Sequence, residues 1–334
     1  MIATGNFKPA WYLRNPHLQT ILANIIKPPF PNVSYESVML EDGDSLQLAR
    51  GLASGPDLVL ILHGLEGSLD SAYARRLVNY LNNHNIPLAF MFYRGCAGEA
   101  NNQAKSYHSG ETGDLRNVIK HLKQQGAQRI ALVGYSLGGN VTLKYMGEES
   151  VDEAISCATA VSVPMLLDVC AHKMDQGFSR LYQYTLLKRL LQKVQQKKSL
   201  LQGEGYDTTL RPKNFVAFDD AYTAPLNGFE SAADYYQQCS SRQYLSRISK
   251  PTLILQAKDD PFMTPDVIPG PEELSDQVTL ELSQHGGHVG FIQHGIFNPQ
   301  NYLEPRIQQW LHQQGFITES GEPHLCGQPQ YNTR

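Results

Sequence analysis

Ser136 stands in the pentapeptide Gly134-Tyr135-Ser136-Leu137-Gly138, directly after the apolar run RIALVG (129–134) and before a helix-like segment at 137–149. A serine hydroxyl is a weak nucleophile, and it becomes useful only where a sharp turn presents it to a base. A G-x-S-x-G sequence between a strand and a helix builds such a turn. The serine is forced into a strained backbone conformation, and side chains two positions to either side would clash where strand and helix close together. The helix that starts at once aims its first N–H groups at any oxyanion formed beside the serine. The strand before and the helix after favour a nucleophile over a serine that merely occupies a bend.

Acyl-transfer chemistry at such a serine needs a carboxylate and then a histidine further along the chain. QAKDDPFMTP (256–265) follows one apolar run and SQHGGHVGF (283–291) follows the next. Asp260 lies 124 residues beyond Ser136, and His288 lies 28 beyond Asp260. Both fall in loops at the C-terminal ends of strands, where open α/β sheets build their sites. Asp259 competes with Asp260. The pattern small residue, two variable residues, acid, proline fits Ala257-Lys258-Asp259-Asp260-Pro261 with Asp260 as the acid and leaves Asp259 as a loop carboxylate or turn cap. His285 competes with His288. The glycines after His285 suggest a loop tip, which favours His288 as the base and leaves His285 on the solvent side or in a supporting place. An oxyanion hole requires the N–H of the residue after the nucleophile, here Leu137, and a second N–H from the loop HGLEGS (63–68), assigned to Leu65. The alternative for that loop is a plain glycine turn closing a strand, and His63 reads as a structural loop histidine.

The elements that must position these residues are visible as short apolar runs: 33–40, 46–52, 58–63, 86–93, 129–134, 154–163, 251–257 and 278–283. The middle runs are continuously apolar, as parallel strands covered on both faces require. Helix-like segments at 71–83, 113–125, 137–149 and 300–314 alternate with them, which predicts a doubly wound sheet with right-handed crossovers. The first two runs, split by EDGDS, predict an antiparallel hairpin. From 164 to 249 no convincing strand occurs. LYQYTLLKRLLQKVQQKK (181–198) places Leu187, Leu190, Leu191 and Val194 on one helical face, and 231–248 also looks helical, so this stretch is expected to be a helical cap. The expected organisation is a core of 1–163 and 250–318, a cap of 164–249 and a frayed tail over 319–334.

The chain has 334 residues, 41% of them hydrophobic, and a net charge of −4, so nothing is basic enough to track a nucleic acid. Cys96, Cys157, Cys170, Cys239 and Cys326 are scattered without a CxxC pair, which argues against a disulfide framework or a zinc site and fits a reducing compartment. The N-terminus lacks the features of a secretory signal, and no apolar stretch approaches the roughly 18 residues of a spanning helix. A cytoplasmic, soluble protein is expected.

Together HGLEGS, YRGCAGE (93–99), YHSGET (107–112), GYSLGGN, AKDDPF, HGGHVGF and NPHLQT (15–20) resemble the YheT-type α/β-hydrolases, bacterial esterases related to eukaryotic acylglycerol lipases of the α/β-hydrolase fold. The resemblance runs from about residue 11 to about residue 315. It implies an α/β-hydrolase fold with an eight-stranded, mostly parallel sheet, helices on both faces and the cap between strands 6 and 7. It also implies a serine carboxylesterase for short-chain or acylglycerol-type esters, some of them lipid-derived, with Ser136, Asp260 and His288 as the triad. No metal or cofactor is called for. A thioesterase or acyltransferase on the same site, or a hydrolase-fold protein used only for binding, are the alternatives. Cys96 stands where related enzymes often carry histidine and reads as part of the pocket wall. YHSGET is expected to cap the following helix through its serine and glutamate, and NPHLQT to form a capped turn. Lys188, Arg189, Lys193, Lys197 and Lys198 are expected to form a solvated face above the leucine stripe, with peripheral docking on anionic lipid as the less favoured reading.

Overall fold

A computed structural model describes residues 1–295 and 299–317. Each of the eight apolar runs forms a strand: β2 (Ser34–Met39), β3 (Ser45–Arg50), β4 (Asp57–Leu62), β5 (Leu88–Phe92), β6 (Arg129–Tyr135), β7 (Ile155–Val161), β8 (Thr252–Ala257) and β9 (Val278–Ser283). β4, β5 and β8 are buried at every position, which is why their sequences carry no polar alternation. A ninth strand, β1 (Ile2–Thr4), was not expected. It adds in parallel to β9, with Ile2 opposite Leu280, and the terminal ammonium donates to the Val278 carbonyl at 2.6 Å. Three residues, with only the middle one half-buried, are too short to show a periodicity.

The sheet runs β1-β9-β8-β7-β6-β4-β5-β3-β2. β2 with β3 and β3 with β5 are antiparallel, and every other pairing is parallel. Helices α1 (Pro16–Ile25), α2 (Ala72–Asn83) and the C-terminal helix Leu303–Gln313 are tied together by Arg76, which pairs with Glu304 at 3.3 Å and donates to the Ala23 carbonyl at 2.8 Å. Helices α3 (Gly113–Gln124) and α4 (Leu137–Met146) are joined through Glu148, just beyond α4, which accepts from Arg116 of α3 and Lys144 of α4. α4 leaves the sheet directly from the end of β6.

The insertion lies between β7 and β8, the sixth and seventh of the eight expected strands. It holds α5 (Leu167–Met174), α6 (Ser179–Gln196), α7 (Lys198–Gly203) and α8 (Phe215–Phe218), followed by the helix Ala232–Cys239 and a 3-10 turn over Ser241–Arg247. The leucine stripe of α6 packs Leu187 and Val194 against Leu201, Phe218 and Tyr222, a small cluster separate from the sheet core. The basic residues do not all form a solvated face. Lys188, Arg189 and Lys198 are exposed, but Lys197 is buried and Lys193 half-buried, both turned onto the sheet domain. Their buried acceptors come from remote loops, which helical periodicity cannot reveal.

Cys96, Cys157, Cys170 and Cys239 are free and buried. Cys326 and the expected tail lie outside the described residues. No described helix is long and apolar enough to cross a membrane.

Candidate active site

Ser136 occupies the junction of β6 and α4 with φ 52° and ψ −116°. A Cβ on Gly134 would stand 2.3 Å from the Gly138 carbonyl oxygen, and one on Gly138 would stand 2.4 Å from the Leu62 oxygen. Both glycines are therefore fixed by the close passage of strand and helix. Among described non-glycine residues, six have positive φ: Ser136 itself, Glu66 and Val289, which line the same cavity as Ser136, Ser162, whose hydroxyl accepts the Val289 N–H, and Asn85 and Phe291. Each such residue stores on the order of 1–3 kcal/mol, and strain of this kind collects where geometry is dictated by chemistry.

The loop after β9 brings His288 to the serine. His288 Nε2 lies 3.0 Å from Ser136 Oγ, and Nδ1 lies 2.8 Å from Asp260 Oδ2. A carboxylate only accepts, so Nδ1 carries the proton, and the neutral ring leaves Nε2 free to accept from the serine hydroxyl. Asp260 is 3% exposed and accepts the Phe262 N–H at 2.9 Å on its other oxygen. The Phe262 ring stacks on the imidazole at 3.9 Å and 8°. Asp259 does not touch His288. It accepts the Gly287 N–H at 3.0 Å and meets His285 Nδ1 at 3.2 Å. The loops thus carry two parallel aspartate–histidine pairs, and only the inner one reaches Ser136.

α1 supports that histidine loop. Asn15 caps α1 by accepting the Leu18 N–H, as its sequence suggested, but the following residues do more. Thr20 Oγ1 accepts the His288 N–H at 2.9 Å. Gln19, fully buried, donates to the Leu13 and Ile292 carbonyls at 2.9 Å each and accepts the Ile292 N–H at 2.8 Å. A Cβ on Gly287, whose φ is 59°, would come 2.5 Å from the Pro16 oxygen. NPHLQT is therefore the platform on which the histidine loop rests, a role its local sequence gives no sign of.

In the loop 63–67 the Gly64 N–H donates to Tyr73 Oη, the Glu66 N–H to Tyr107 Oη and the Gly67 N–H to the Gly64 carbonyl. Among the described residues, none accepts from the N–H of Leu65 or from that of Leu137, the first residue of α4. Both residues line the same cavity as Ser136 and His288. His63 is fully buried, with Nδ1 2.7 Å from the Gly64 oxygen and Nε2 accepting the Tyr93 N–H at 3.2 Å. Burial pushes its pKa down from 6.5 to about 3, so the folded protein keeps it neutral where an unfolded chain would protonate it. Its contribution to stability is complete above pH 6.5 and is lost as the pH falls towards 3. Between pH 6.5 and 5.0 the expected loss is about 2 kcal/mol, and urea unfolding of His63→Gln should lack that part of the slope.

YHSGET caps α3 through its glutamate alone: Glu111 Oε1 accepts the Gly113 and Asp114 N–H groups, whereas the Ser109 carbonyl accepts from Asn140. Cys96 stands behind the cavity wall, not in it, with its sulfur 2.9 Å from Lys193 Nζ. Ser136 opens into a cavity of about 700 Å³. Ile21 of α1, Leu181, Leu186 and Leu190 of α6, and Phe218 and Tyr222 make most of its walls apolar. That volume lies within the range of about 300–1,000 Å³ that encloses small organic ligands.

The profile described as alpha/beta hydrolase fold matches residues 57–295. The Escherichia coli (strain K12) protein named "Putative esterase YheT" is 40% identical over 92% of this chain and 94% of its own. The mouse protein named Phospholipase ABHD3 is 26% identical over 93% of this chain and 79% of its own. The monoacylglycerol lipase of Saccharomyces cerevisiae is 30% identical over 70% of this chain and 55% of its own. Among solved structures, the Pyrococcus furiosus esterase Pf2001 shares the fold with a TM-score of 0.57 at 17% identity, covering 94% of this chain and 98% of that one. The chain belongs to the alpha/beta hydrolase fold family, among its esterase- and lipase-type enzymes.

Proposed function

We propose that the protein is a serine carboxylic-ester hydrolase that uses Ser136 as nucleophile, His288 as base and acid, and Asp260 to hold the imidazole. The observation that carries this reading is the hydrogen-bonded line Asp260–His288–Ser136 opening into a largely apolar cavity. His288 Nε2 takes the hydroxyl proton as Oγ attacks the ester carbonyl, and Asp260 stabilises the imidazolium formed. The free N–H groups of Leu65 and Leu137 receive the oxyanion, each such donor stabilising the transition state by about 2.7–4 kcal/mol. His288 then returns the proton to the leaving alcohol, and the acyl group remains on Ser136. Water activated by the same nitrogen releases the acid and restores the serine. The walls supplied by α1 and α6 suit an apolar acyl chain, which supports short-chain or acylglycerol-type esters as substrates, and the insertion of 164–249 serves as the cap that encloses them.

A fluorophosphonate probe tests the reading directly. One equivalent is expected on Ser136, located by peptide mass, together with loss of activity on a panel of aryl esters. Full ester turnover in the labelled protein, or labelling elsewhere, overturns it.

A further inference from the structure

The loop that offers the Leu65 N–H is held from two sides. Glu66, the next residue, adopts φ 53°, a left-handed conformation unusual for a glutamate. Its N–H donates to Tyr107 Oη at 2.8 Å, and that hydroxyl donates back to Glu66 Oε1 at 2.7 Å. Lys193, arriving from α6 of the insertion, places Nζ 2.8 Å from the same Oε1. The ammonium also donates to Cys96 Sγ at 2.9 Å and lies 5.1 Å from the centre of the Tyr107 ring. The Glu66 side chain is 6% exposed and that of Lys193 24%, so the carboxylate is shielded from solvent and the ammonium partly so. Burial pushes the Cys96 thiol up to about 11, so its sulfur stays protonated beside the ammonium.

We propose that Lys193 is a positioning residue for ester hydrolysis: through Glu66 it fixes the loop 64–67 so that the Leu65 N–H faces the forming oxyanion, and it makes that alignment depend on the docking of α6. This rests on the reading of Ser136 as nucleophile and Leu65 as oxyanion donor. Lys197, one turn further along, docks the same helix elsewhere. Its Nζ reaches Asn101 Oδ1, the Ala104 and Lys105 carbonyls and Ser106 Oγ at 2.8–3.1 Å, with no bond to the loop 64–67. The two lysines therefore separate the general attachment of α6 from its particular effect on the oxyanion loop.

The test compares hydrolysis of p-nitrophenyl butyrate by Lys193→Met, Glu66→Gln, the double variant, Lys193→Arg and Lys197→Met. A displaced oxyanion donor lowers kcat by about tenfold to a hundredfold with KM within about twofold, because the contact strengthens only in the transition state. Lys193→Met and Glu66→Gln should each show that loss, the double variant should be no worse than either alone, and Lys193→Arg should recover most of kcat. Lys197→Met should lower the thermal midpoint and leave kcat within about twofold. Hydrogen exchange at the amides of 64–67, which requires no turnover, should quicken in Lys193→Met and not in Lys197→Met. Unchanged kcat in Lys193→Met and Glu66→Gln, additive losses, an equal loss in Lys197→Met, or unaltered exchange overturns the proposal. Glu66→Gln keeps the shape of the loop and carries the test if Lys193→Met does not fold. Turnover that survives Ser136→Ala strikes the nucleophile reading, not the coupling, which the exchange measurement judges by itself.

Discussion

Ser136→Ala is expected to lower kcat for a short-chain aryl ester by at least about 10⁴-fold while the protein remains folded. The size of the loss follows from what the position supplies. Among the described residues, Ser136 Oγ at 3.0 Å is the hydroxyl that His288 Nε2 meets, so no described neighbour inherits the role. What remains in the variant is the cavity and the proposed N–H donors of Leu65 and Leu137, which together accelerate attack by water only modestly. Folding should be nearly indifferent. Alanine keeps the Cβ, so the φ of 52° is no more strained than before, and the lost hydrogen bond is one of neutral groups facing a cavity that water can enter. Such a change is on the order of 1 kcal/mol, a shift of a few degrees at most in the thermal midpoint. Steady-state rates on p-nitrophenyl butyrate beside a thermal melt decide it. Retention of a tenth of the activity by a folded variant would sink the assignment.

The sharp turn that presents Ser136 is readable because it depends on neighbours in sequence: two glycines, a strand and a helix within a dozen residues. The strands were readable for a similar reason, since burial on both faces demands apolar residues at consecutive positions. What escaped the sequence is held by contacts between distant residues. β1 exists through pairing with β9, and Gln19 and Thr20 act through hydrogen bonds to Ile292 and His288, more than 260 residues away. Nothing local marks a glutamine or a threonine on a short helix as the prop of a remote loop. Lys193 and Lys197 depart from expectation in the opposite direction, because lysine is ordinarily solvated and their acceptors are backbone carbonyls and a loop glutamate that periodicity does not see. The adjacent aspartates are harder: Asp259 meets His285 and Asp260 meets His288, so either pairing satisfies the order along the chain, and the local pattern that favours Asp260 and His288 says nothing of the second pair beside them.

The two pairs yield a sharp contrast between two nearly identical substitutions. Asp260→Asn is expected to reduce kcat by about 10³–10⁴-fold, and Asp259→Asn by only a few fold. In Asp260→Asn the side-chain oxygen stays with the Phe262 N–H, which the wild-type Oδ1 accepts at 2.9 Å, so the new amide turns its NH2 towards His288 Nδ1. Nδ1 must then accept, which moves the ring proton to Nε2, and a protonated Nε2 cannot take the hydroxyl proton from Ser136. Asp259→Asn retains an acceptor for the Gly287 N–H and alters only the contact with His285, whose side chain is 38% exposed and is free to change tautomer or turn to water. The loop then shifts slightly, and His288 keeps both of its own partners. kcat/KM on one aryl ester, with near-ultraviolet circular dichroism as the check on folding, distinguishes the pair. Equal losses in the two variants would mean that the outer aspartate–histidine pair shares the chemistry, and a folded Asp260→Asn protein with more than a tenth of wild-type turnover would remove Asp260 from the site.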